Sequence, residues 1–255
     1  MTYFTGIDIG STSAKTIVMD EEQNICMRML QPTGWSSVDT ANEILRKLEA
    51  EGIKRETMKI VATGYGRVSV PFADKCVTEI TCHGLGACFL YREENLTIID
   101  IGGQDTKLIQ TENGQVTDFV MNDKCSAGTG RFLEVMANTL SMRPDELCAL
   151  AAEGGGISIS SMCTVFAESE VISLIGTGEL RENIAYAVVD SIVNKVAAQA
   201  GKLSLGSNAV CLTGGLCGIP YLTKALSRTL GVPVQTMEDG RYAGAVGAAM
   251  KAMSI

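Results

Sequence analysis

The chain has 255 residues, of which 46% are hydrophobic and 20% are charged, and its formal net charge is −8. This length suits one large α/β domain or two fused smaller lobes. An acidic chain without a basic patch argues against a nucleic-acid partner, and no apolar run is long enough to span a bilayer. Residues 1–8 lack the basic region and long apolar core of a signal peptide, so we expect a cytoplasmic protein without a membrane partner.

The first ninety residues predict an alternation of strands and helices. Apolar runs bounded by turn residues predict strands at 3–9, 15–19, 25–30 and 59–62. Apolar residues at helical spacing predict a helix at 39–51, and small residues at that spacing predict another near 84–90.

The pattern of the first strands then recurs. An aspartate, a glycine and a lysine each have a counterpart 92 residues further on, namely Asp8 and Asp100, Gly10 and Gly102, and Lys15 and Lys107. The second copy continues into a hairpin, for which Asn113-Gly114 is a strong turn signal. The internal repeat predicts two duplicated lobes, which we place at residues 1–95 and 96–255.

The second lobe is predicted to contain more helix than the first. A long helical pattern covers 183–200, a strand follows at 208–213, and a helix ends at Leu230 before a short strand at 232–236. The last segment, 243–253, is rich in glycine and alanine, so we expect a helix that packs closely, back across the lobe interface.

Three turns that follow strands carry the residues expected to bind a nucleotide. Backbone N–H groups in such turns bind phosphate, and glycine permits close approach of the ligand. The residues are Gly10, Ser11, Thr12, Ser13, Ala14 and Lys15 in the first turn, Gly102 and Gly103 in the second, and Gly214 and Gly215 in the third. We expect the first two turns to clamp the phosphates from both sides and the third to pack against adenine. Lys15 either reaches a phosphate or is a charge at the edge of its strand.

Carboxylates beside these turns are the candidate catalytic groups. Asp8 and Asp100 end their strands, where they suit binding of Mg²⁺ directly or through water. Gln104 and Asp105 lie in the second turn, where they suit orientation of an attacking water. The chain has no Gly-x-x-x-x-Gly-Lys-Ser/Thr motif, which excludes a P-loop ATPase. A dinucleotide-binding fold is disfavoured because a strand, not a helix, follows the first turn.

Two of the nine cysteines stand apart from the rest. Cys125 and Cys163 each lie where a small, polar run gives way to apolar residues at helical spacing, so we place both at or near a helix N-terminus. The helix dipole favours negative charge there and lowers the pKa of a thiol. The alternative is that both are buried thiols without a ligand.

The remaining cysteines and the single histidine are predicted to be structural. Without a Cys-x-x-Cys motif, a mononuclear zinc site is disfavoured. We expect His83 to be a structural or pocket-edge residue rather than a catalytic base. Four cysteines are spare candidates for a ligand, namely Cys76, Cys82, Cys88 and Cys217. Of these, Cys82 and Cys88 are assigned to the core, together with Cys26, Cys148 and Cys211.

These motifs together carry a family resemblance. The three turns resemble the phosphate-1, phosphate-2 and adenosine motifs of the acetate kinase, sugar kinase, Hsp70 and actin superfamily, which implies an α/β fold of two duplicated ribonuclease H-like lobes. Five segments, two of which contain the first two turns, narrow the resemblance to one family. They are Gly6-Ile7-Asp8-Ile9-Gly10-Ser11-Thr12, Ala62-Thr63-Gly64-Tyr65-Gly66-Arg67, Thr78-Glu79-Ile80-Thr81-Cys82-His83, Asp100-Ile101-Gly102-Gly103-Gln104-Asp105 and Asn122-Asp123-Lys124-Cys125-Ser126-Ala127-Gly128-Thr129-Gly130. With them the chain resembles the activator component of 2-hydroxyacyl-CoA dehydratases, whose family includes ATPase subunits of benzoyl-CoA reductase.

The resemblance implies cofactors and partners. It implies a homodimer with one [4Fe-4S] cluster between its subunits, held by Cys125 and Cys163 of each chain. It also implies that hydrolysis of Mg²⁺-bound ATP to ADP is coupled to transfer of one electron. The acceptor would be a partner dehydratase or reductase, and the donor a ferredoxin or flavodoxin.

Two other functions remain open at the level of sequence. A small-molecule kinase of the same superfamily would use Asp105 as the base that takes a hydroxyl proton, and its cysteines would have no role. A nucleotide-dependent interaction protein would bind ATP and a partner without useful turnover.

Overall fold

The computed structural model describes residues 2–122, 124–160, 163–203, 206 and 208–255. Within these ranges the strands are β1 (Tyr3–Ile9), β2 (Ser13–Met19), β3 (Ile25–Pro32), β4 (Met58–Thr63), β5 (Lys75–Cys76), β6 (Leu96–Ile101), β7 (Thr106–Glu112), β8 (Gln115–Asn122), β9 (Ala209–Gly214) and β10 (Val234–Gln235). The α-helices are α1 (Ser37–Ala50), α2 (Glu79–Tyr91), α3 (Gly130–Thr139), α4 (Pro144–Leu150), α5 (Thr164–Gly176), α6 (Arg181–Ala200), α7 (Pro220–Leu230) and α8 (Ala243–Ala252). No helix in the described ranges is long and apolar enough to cross a membrane.

The helix ends follow local chemistry. Helix α7 ends where Gly231 adopts a left-handed conformation, with φ of 69°, which only glycine adopts without strain. Helix α2 begins five residues earlier than the predicted 84–90, because the extended residue Thr78 forms its N-cap. Its glycines and small residues weaken the periodic signal from which its start was predicted.

The chain forms two compact units, each with its own hydrophobic core. Unit 1 comprises Met1–Leu96, Ile109–Asp118 and Asp239–Ile255, and unit 2 comprises Thr97–Leu108 and Phe119–Glu238. Both units are therefore discontinuous in sequence, unlike the duplicated lobes expected at 1–95 and 96–255. The boundary between those lobes stays a prediction.

The first sheet has the strand order β3-β2-β1-β4-β5. Strand β1 pairs antiparallel with β2 and parallel with β4, so Asp8 lies opposite Lys15 on one side and Thr63 on the other. Strand β3 lies at the edge, and its residues alternate between half-buried and exposed. The prediction that Cys26 belongs to the core is wrong, because Cys26 falls on the exposed face of this edge strand.

The second sheet repeats the first. Its order is β8-β7-β6-β9-β10, which is the order of the first sheet with each strand replaced by its counterpart in the second copy. The outer pairs β4–β5 and β9–β10 are both parallel. The predicted fold class, an α/β fold of two duplicated ribonuclease H-like lobes, is confirmed.

Glycines allow α8 to pack at very short range in unit 1. A Cβ added to Gly247 would lie 1.9 Å from the carbonyl oxygen of Cys82 on α2, and one added to Gly86 would lie 1.8 Å from that of Ala243 on α8. A Cβ on Gly6 of β1 would lie 1.9 Å from the carbonyl oxygen of Ala245. Glycines on α8, α2 and β1 thus permit direct contact between backbones. The glycine-rich composition of residues 243–253 predicts this close packing.

Gly247→Ala is therefore expected to destabilise the protein strongly. The added methyl overlaps a backbone carbonyl that no side-chain rotation can move, so we expect a loss of about 3 kcal/mol in the free energy of unfolding. Urea unfolding measures this loss as a lower midpoint at unchanged slope.

Gly155→Ala is the matched control for this substitution. A Cβ on Gly155 would meet no atom within 4 Å, so its stability should change by less than about 0.5 kcal/mol. Equal stability of the two variants would contradict the close contact between α2 and α8.

Candidate functional site

The first two glycine turns close in the same way. The N–H of Gly10 donates to the Ser13 carbonyl at 3.1 Å, and the N–H of Gly102 donates to the Asp105 carbonyl at 2.9 Å. Both bonds span three residues, so the 92-residue repeat extends to the backbone geometry of the turns. In the first turn, the Thr33 hydroxyl also donates to the Gly10 carbonyl at 2.7 Å.

In unit 1 the carboxylate of Asp8 lies against backbone. Asp8 is 4% exposed, and a Cβ added to Gly64 would lie 2.3 Å from its Oδ1. A Cβ added to Gly244 would lie 2.8 Å both from Asp8 Oδ2 and from Cε1 of His83. His83 is buried and its Nδ1 lies 3.0 Å from the Glu79 carbonyl one helical turn earlier, a contact that suits the predicted structural role.

In unit 2 the equivalent carboxylate belongs to a buried polar cluster. The Thr213 hydroxyl donates to Oδ1 of Asp100 at 2.9 Å. The Lys107 ammonium lies 3.2 Å from Asp100 Oδ2 and 2.8 Å from Asp105 Oδ2. The side chains of Lys107 and Asp100 are 3% and 2% exposed, whereas Asp105 reaches solvent. Removing one member of such a cluster leaves the buried charge of Lys107 less compensated, which is costly.

Three residues of these sites were given no role by the sequence: Gly64, Lys107 and Thr213. A Thr-Gly pair occurs where each of β4 and β9 ends, with Gly64 directly after β4 and Gly214 as the last residue of β9. Both glycines adopt a left-handed backbone, with φ of +84° and +86°. A Cβ on Gly214 would lie 2.9 Å from Asp100 Oδ1, so each aspartate lies against a left-handed glycine. The repeated Thr-Gly pair, and the alignment of Lys107 with Lys15, are signals that could have identified them.

The other predicted nucleotide-binding residues lie in or beside their turns. Lys15 Nζ lies 3.6 Å from the position that a Cβ on Gly10 would take, so its ammonium points over the turn and not away from it. A Cβ on Gly102 would lie 2.2 Å from Asp105 Oδ1, which places this oxygen directly over the second turn. The exposed residues are Thr12, Gln104 and Gly215, the half-buried ones are Ser11, Ser13 and Gly103, and the buried ones are Ala14 and Gly214.

Cys125 lies in a turn that precedes α3. The helix begins at Gly130, with Thr129 as its N-cap, so Cys125 is near the helix start but not in its first turn. The side-chain amide of Asn122 donates to the carbonyls of Cys125 at 2.8 Å and of Ala127 at 3.3 Å. These bonds fix the backbone around the half-buried Cys125.

Cys163 is the N-cap residue of α5 and is exposed, as the sequence predicts for a cysteine at a helix start. The hydroxyls of Ser126 and Thr164 lie 2.8 Å apart. Because these residues directly follow Cys125 and Cys163, the structure brings the two cysteine segments together within unit 2. Asp123, Ser161 and Met162, which belong to the same two motifs, lie outside the described residues.

Two other cysteines are held in the thiol form. Burial raises the pKa of Cys82 to about 11 and that of Cys148 to about 12. At neutral pH these groups stay protonated, whereas a metal ligand must be a thiolate. The prediction that they are core residues is confirmed, as it is for the buried Cys211, while Cys88 is half-buried.

Helix α5, which follows the exposed Cys163, has several exposed apolar side chains. The helix buries Ala167 and Val171 against the rest of unit 2. Leu174 is half-buried against the same core, and four other large apolar side chains are more than a third exposed, namely Val165, Phe166, Ile172 and Ile175. We call these four residues the α5 apolar face.

The sequence profile of the BadF/BadG/BcrA/BcrD ATPase family matches residues 5–252. The chain belongs to this ATPase family. The match spans the three glycine turns and both cysteine segments, so it confirms the resemblance read from the motifs.

Similar members of the family are known by name. The chain is 42% identical to the (R)-2-hydroxyglutaryl-CoA dehydratase activating ATPase of Acidaminococcus fermentans, over 98% of this chain and 96% of that protein. The crystal structure of component A of (R)-2-hydroxyglutaryl-CoA dehydratase from A. fermentans is similar with a TM-score of 0.92 and 41% identity, covering 100% of this chain and 98% of that one. The activator of 2-hydroxyisocaproyl-CoA dehydratase from Clostridium difficile, solved with bound ADPNP, gives 0.91 and 35%, covering 99% and 95%. These relatives do not favour a small-molecule kinase.

Proposed function

We propose that the protein is an ATP-dependent activator that hydrolyses ATP and passes one electron to a partner enzyme. The observation that carries the proposal is the hydrogen bond between Ser126 and Thr164, which joins two cysteine segments in a chain whose relatives are dehydratase activators. A kinase has no use for such a pairing. An activator needs a nucleotide site and an electron carrier in the same protein.

The nucleotide is bound by the glycine turns. The turns at residues 10–15 and 102–103 bind phosphate, with Lys15 Nζ over the first turn as a further cation. Gly214 and Gly215 contact the adenine. The relative that was solved with ADPNP supports the assignment of an adenine nucleotide.

The carboxylates supply the metal site and the hydrolytic groups. Asp8 and Asp100 bind Mg²⁺ directly or through water, and two buried carboxylates at strand ends fit a hard cation of this kind. Asp105 Oδ2 pairs with Lys107, whereas Oδ1 lies over Gly102 and accepts a hydrogen bond from the attacking water. Gln104, exposed in the same turn, orients that water.

The cysteines fit a shared iron–sulfur cluster. A [4Fe-4S] cluster has four thiolate ligands, and each chain offers Cys125 and Cys163 in adjacent segments. Cys163 is exposed, so its sulfur is accessible to a group that a second chain also ligates. When bound, the cluster supplies low-potential transfer of one electron.

The α5 apolar face supports a homodimer. Val165 and Phe166 directly follow the Cys163–Thr164 start of the helix, and each leaves about two thirds of its surface exposed. Covering such a surface with a second copy of the chain removes apolar area from water. The same contact brings two further cysteines to the first pair.

The role of an electron-transferring activator implies an electron donor and an electron acceptor. The protein accepts electrons from a ferredoxin or flavodoxin and donates to a 2-hydroxyacyl-CoA dehydratase or a related reductase. The names of the relatives as dehydratase activators support the dehydratase as acceptor. A further relative, at 29% identity, belongs to the benzoyl-CoA reductase of Thauera aromatica and supports a reductase as the other choice.

Anaerobic purification tests the proposed function. We expect a brown dimer with about four iron atoms and four labile sulfides per two chains, and an ATPase activity that requires Mg²⁺. ATP hydrolysis by a protein without iron and sulfide would overturn the electron-transfer role. An iron–sulfur protein that does not bind ATP would overturn the nucleotide role.

A further inference from the structure

The second glycine turn is hydrogen-bonded directly to the start of α3. The N–H of Gly130 donates to the Gly102 carbonyl at 2.9 Å, and the N–H of Arg131 donates to the Gly103 carbonyl at 2.8 Å. These N–H groups belong to the first helical turn, where no carbonyl of the helix itself can accept them. Any displacement of the turn therefore acts on the helix start.

Thr106 makes a second link from the same strand-turn-strand unit. It is the first residue of β7 and is buried, and its hydroxyl donates to the Gly128 carbonyl at 2.8 Å. Gly128 has φ of +85°, and a Cβ there would lie 2.7 Å from Lys195 Cγ. Gly128 is thus held firmly in place, three residues after Cys125.

The loop that contains Cys125 is itself closed by hydrogen bonds. Asn122 binds the carbonyls of Cys125 and Ala127, and the Thr129 hydroxyl donates to the Ser126 carbonyl at 2.6 Å. The backbone around Cys125 is therefore bonded on both sides. It is expected to move as one piece with the Gly128 carbonyl.

Two further contacts connect this loop and α3 to α5. The hydroxyls of Ser126 and Thr164 lie 2.8 Å apart, and the Thr139 hydroxyl of α3 donates to Glu168 Oε1 of α5 at 3.3 Å. Thr164 is the first residue of α5 and follows Cys163. A continuous set of contacts within unit 2 thus runs from the second glycine turn to both cysteines.

We propose that Thr106 and Thr164 are positioning residues that transmit the state of the second glycine turn to the two cysteines. Thr106 couples the turn to the segment of Cys125, and Thr164 couples that segment to Cys163. A phosphate that binds at Gly102 and Gly103 then changes the position of both thiols. This inference rests on the proposed function, because it takes the turn as a phosphate site and the cysteines as ligands.

The test uses Thr106→Val, with Thr106→Ser as the matched control. Valine preserves the shape of the side chain but removes the hydroxyl, whereas serine retains the hydroxyl. Hydrogen–deuterium exchange of anaerobically purified protein is measured with and without ADPNP, in peptides that cover 124–131 and 163–168. One hydrogen bond is worth a factor of about five in an equilibrium, so we expect ADPNP to slow exchange in both peptides by about that factor.

In Thr106→Val we expect a clearly smaller effect of ADPNP in both peptides, because the backbone bonds of Gly130 and Arg131 to the turn remain. The affinity of this variant for ADPNP should stay within about twofold of the wild type. Thr106→Ser is expected to retain the effect. If Thr106→Val responds to ADPNP as fully as Thr106→Ser does, the inference is wrong.

Thr164→Val separates the second link from the first. It is expected to keep the effect of ADPNP at 124–131 and to show a smaller one at 163–168, since the hydroxyl pair with Ser126 is broken while the contact of Thr139 with Glu168 remains. This variant also keeps the proposal testable if Thr106→Val does not fold. A full response at 163–168 in Thr164→Val would overturn the role of Thr164.

The exchange experiment does not need the cluster, so its failure is distinct from failure of the proposed function. Wild-type protein without iron would overturn the electron-transfer role while the exchange data still decide the coupling. Wild-type protein that binds ADPNP without any change at 124–131 would overturn the coupling alone. In loaded protein, the electron paramagnetic resonance signal of the reduced cluster should differ between ADP and ADPNP, and this difference should be smaller in Thr106→Val than in Thr106→Ser.

Discussion

Cys163→Ala is expected to remove nearly all iron and labile sulfide from the anaerobically purified protein. The substitution takes away one of the two thiolates that each chain would give to a shared cluster, and so two of four in a dimer. Substitution of a residue that hydrogen-bonds to a metal ligand typically lowers the affinity for the metal by about 10- to 100-fold. Loss of a ligand itself should therefore lower the iron content by more than about tenfold. Iron and sulfide assays and the absorbance of the purified protein measure the effect, and Cys125→Ala should give the same result.

Cys76→Ala is the matched control for the cysteine variants. Cys76 is exposed like Cys163, but it lies on β5 of unit 1. This variant should keep its full iron content. Retention of iron in Cys163→Ala, at the level of the Cys76→Ala control, would refute the ligand assignment. Because Cys163 is exposed at a helix start, the alanine variant should unfold at nearly the same temperature as wild-type protein from which the cluster has been removed.

Asp100→Asn should lower kcat for ATP hydrolysis by about 100-fold or more, a typical effect of removing a group that stabilises charge in a transition state. The amide retains the shape of the side chain and an acceptor for the Thr213 hydroxyl. It loses the charge that binds Mg²⁺ and that faces the Lys107 ammonium at 3.2 Å. Steady-state hydrolysis at saturating Mg²⁺ and ATP measures the effect, and Asp8→Asn is expected to behave in the same way.

The control for this variant is Asp145→Asn. Asp145 is an exposed carboxylate of unit 2 that pairs with Arg143 at 2.8 Å, and its loss should leave kcat unchanged. The iron content of Asp100→Asn should also stay at the wild-type level, since Asp100 is not a cluster ligand. Normal turnover in Asp100→Asn would move the metal site elsewhere in the chain.

The fold could be predicted well because the duplication is recognisable in short sequence motifs. The recurrence of Asp8, Gly10 and Lys15 at a fixed spacing anticipated two sheets with the same strand order. Each of these residues suits its own strand end or tight turn, so the repeated pattern can be read without knowledge of distant contacts. The fold class and the family could therefore be identified before any coordinates.

Contacts between distant segments could not be predicted in this way. The hydroxyl pair of Ser126 and Thr164 joins residues 38 positions apart. Each follows one of the two cysteines that the sequence singles out, but nothing in the sequence shows that the two segments meet. The exposure of Cys26 depends on which strand lies at the sheet edge, which its apolar neighbours do not reveal. The pairing of Lys107 with both Asp100 and Asp105 likewise required the folded turn.

The packing of α8 bears on how the chain is made. Residues 1–96 are synthesised first, yet the helix that covers part of β1 and α2 belongs to Asp239–Ile255 and leaves the ribosome much later. Unit 2 is fully translated in the meantime. Part of β1 and α2 therefore stays uncovered until residues 239–255 have been synthesised, and unit 2 can mature before unit 1.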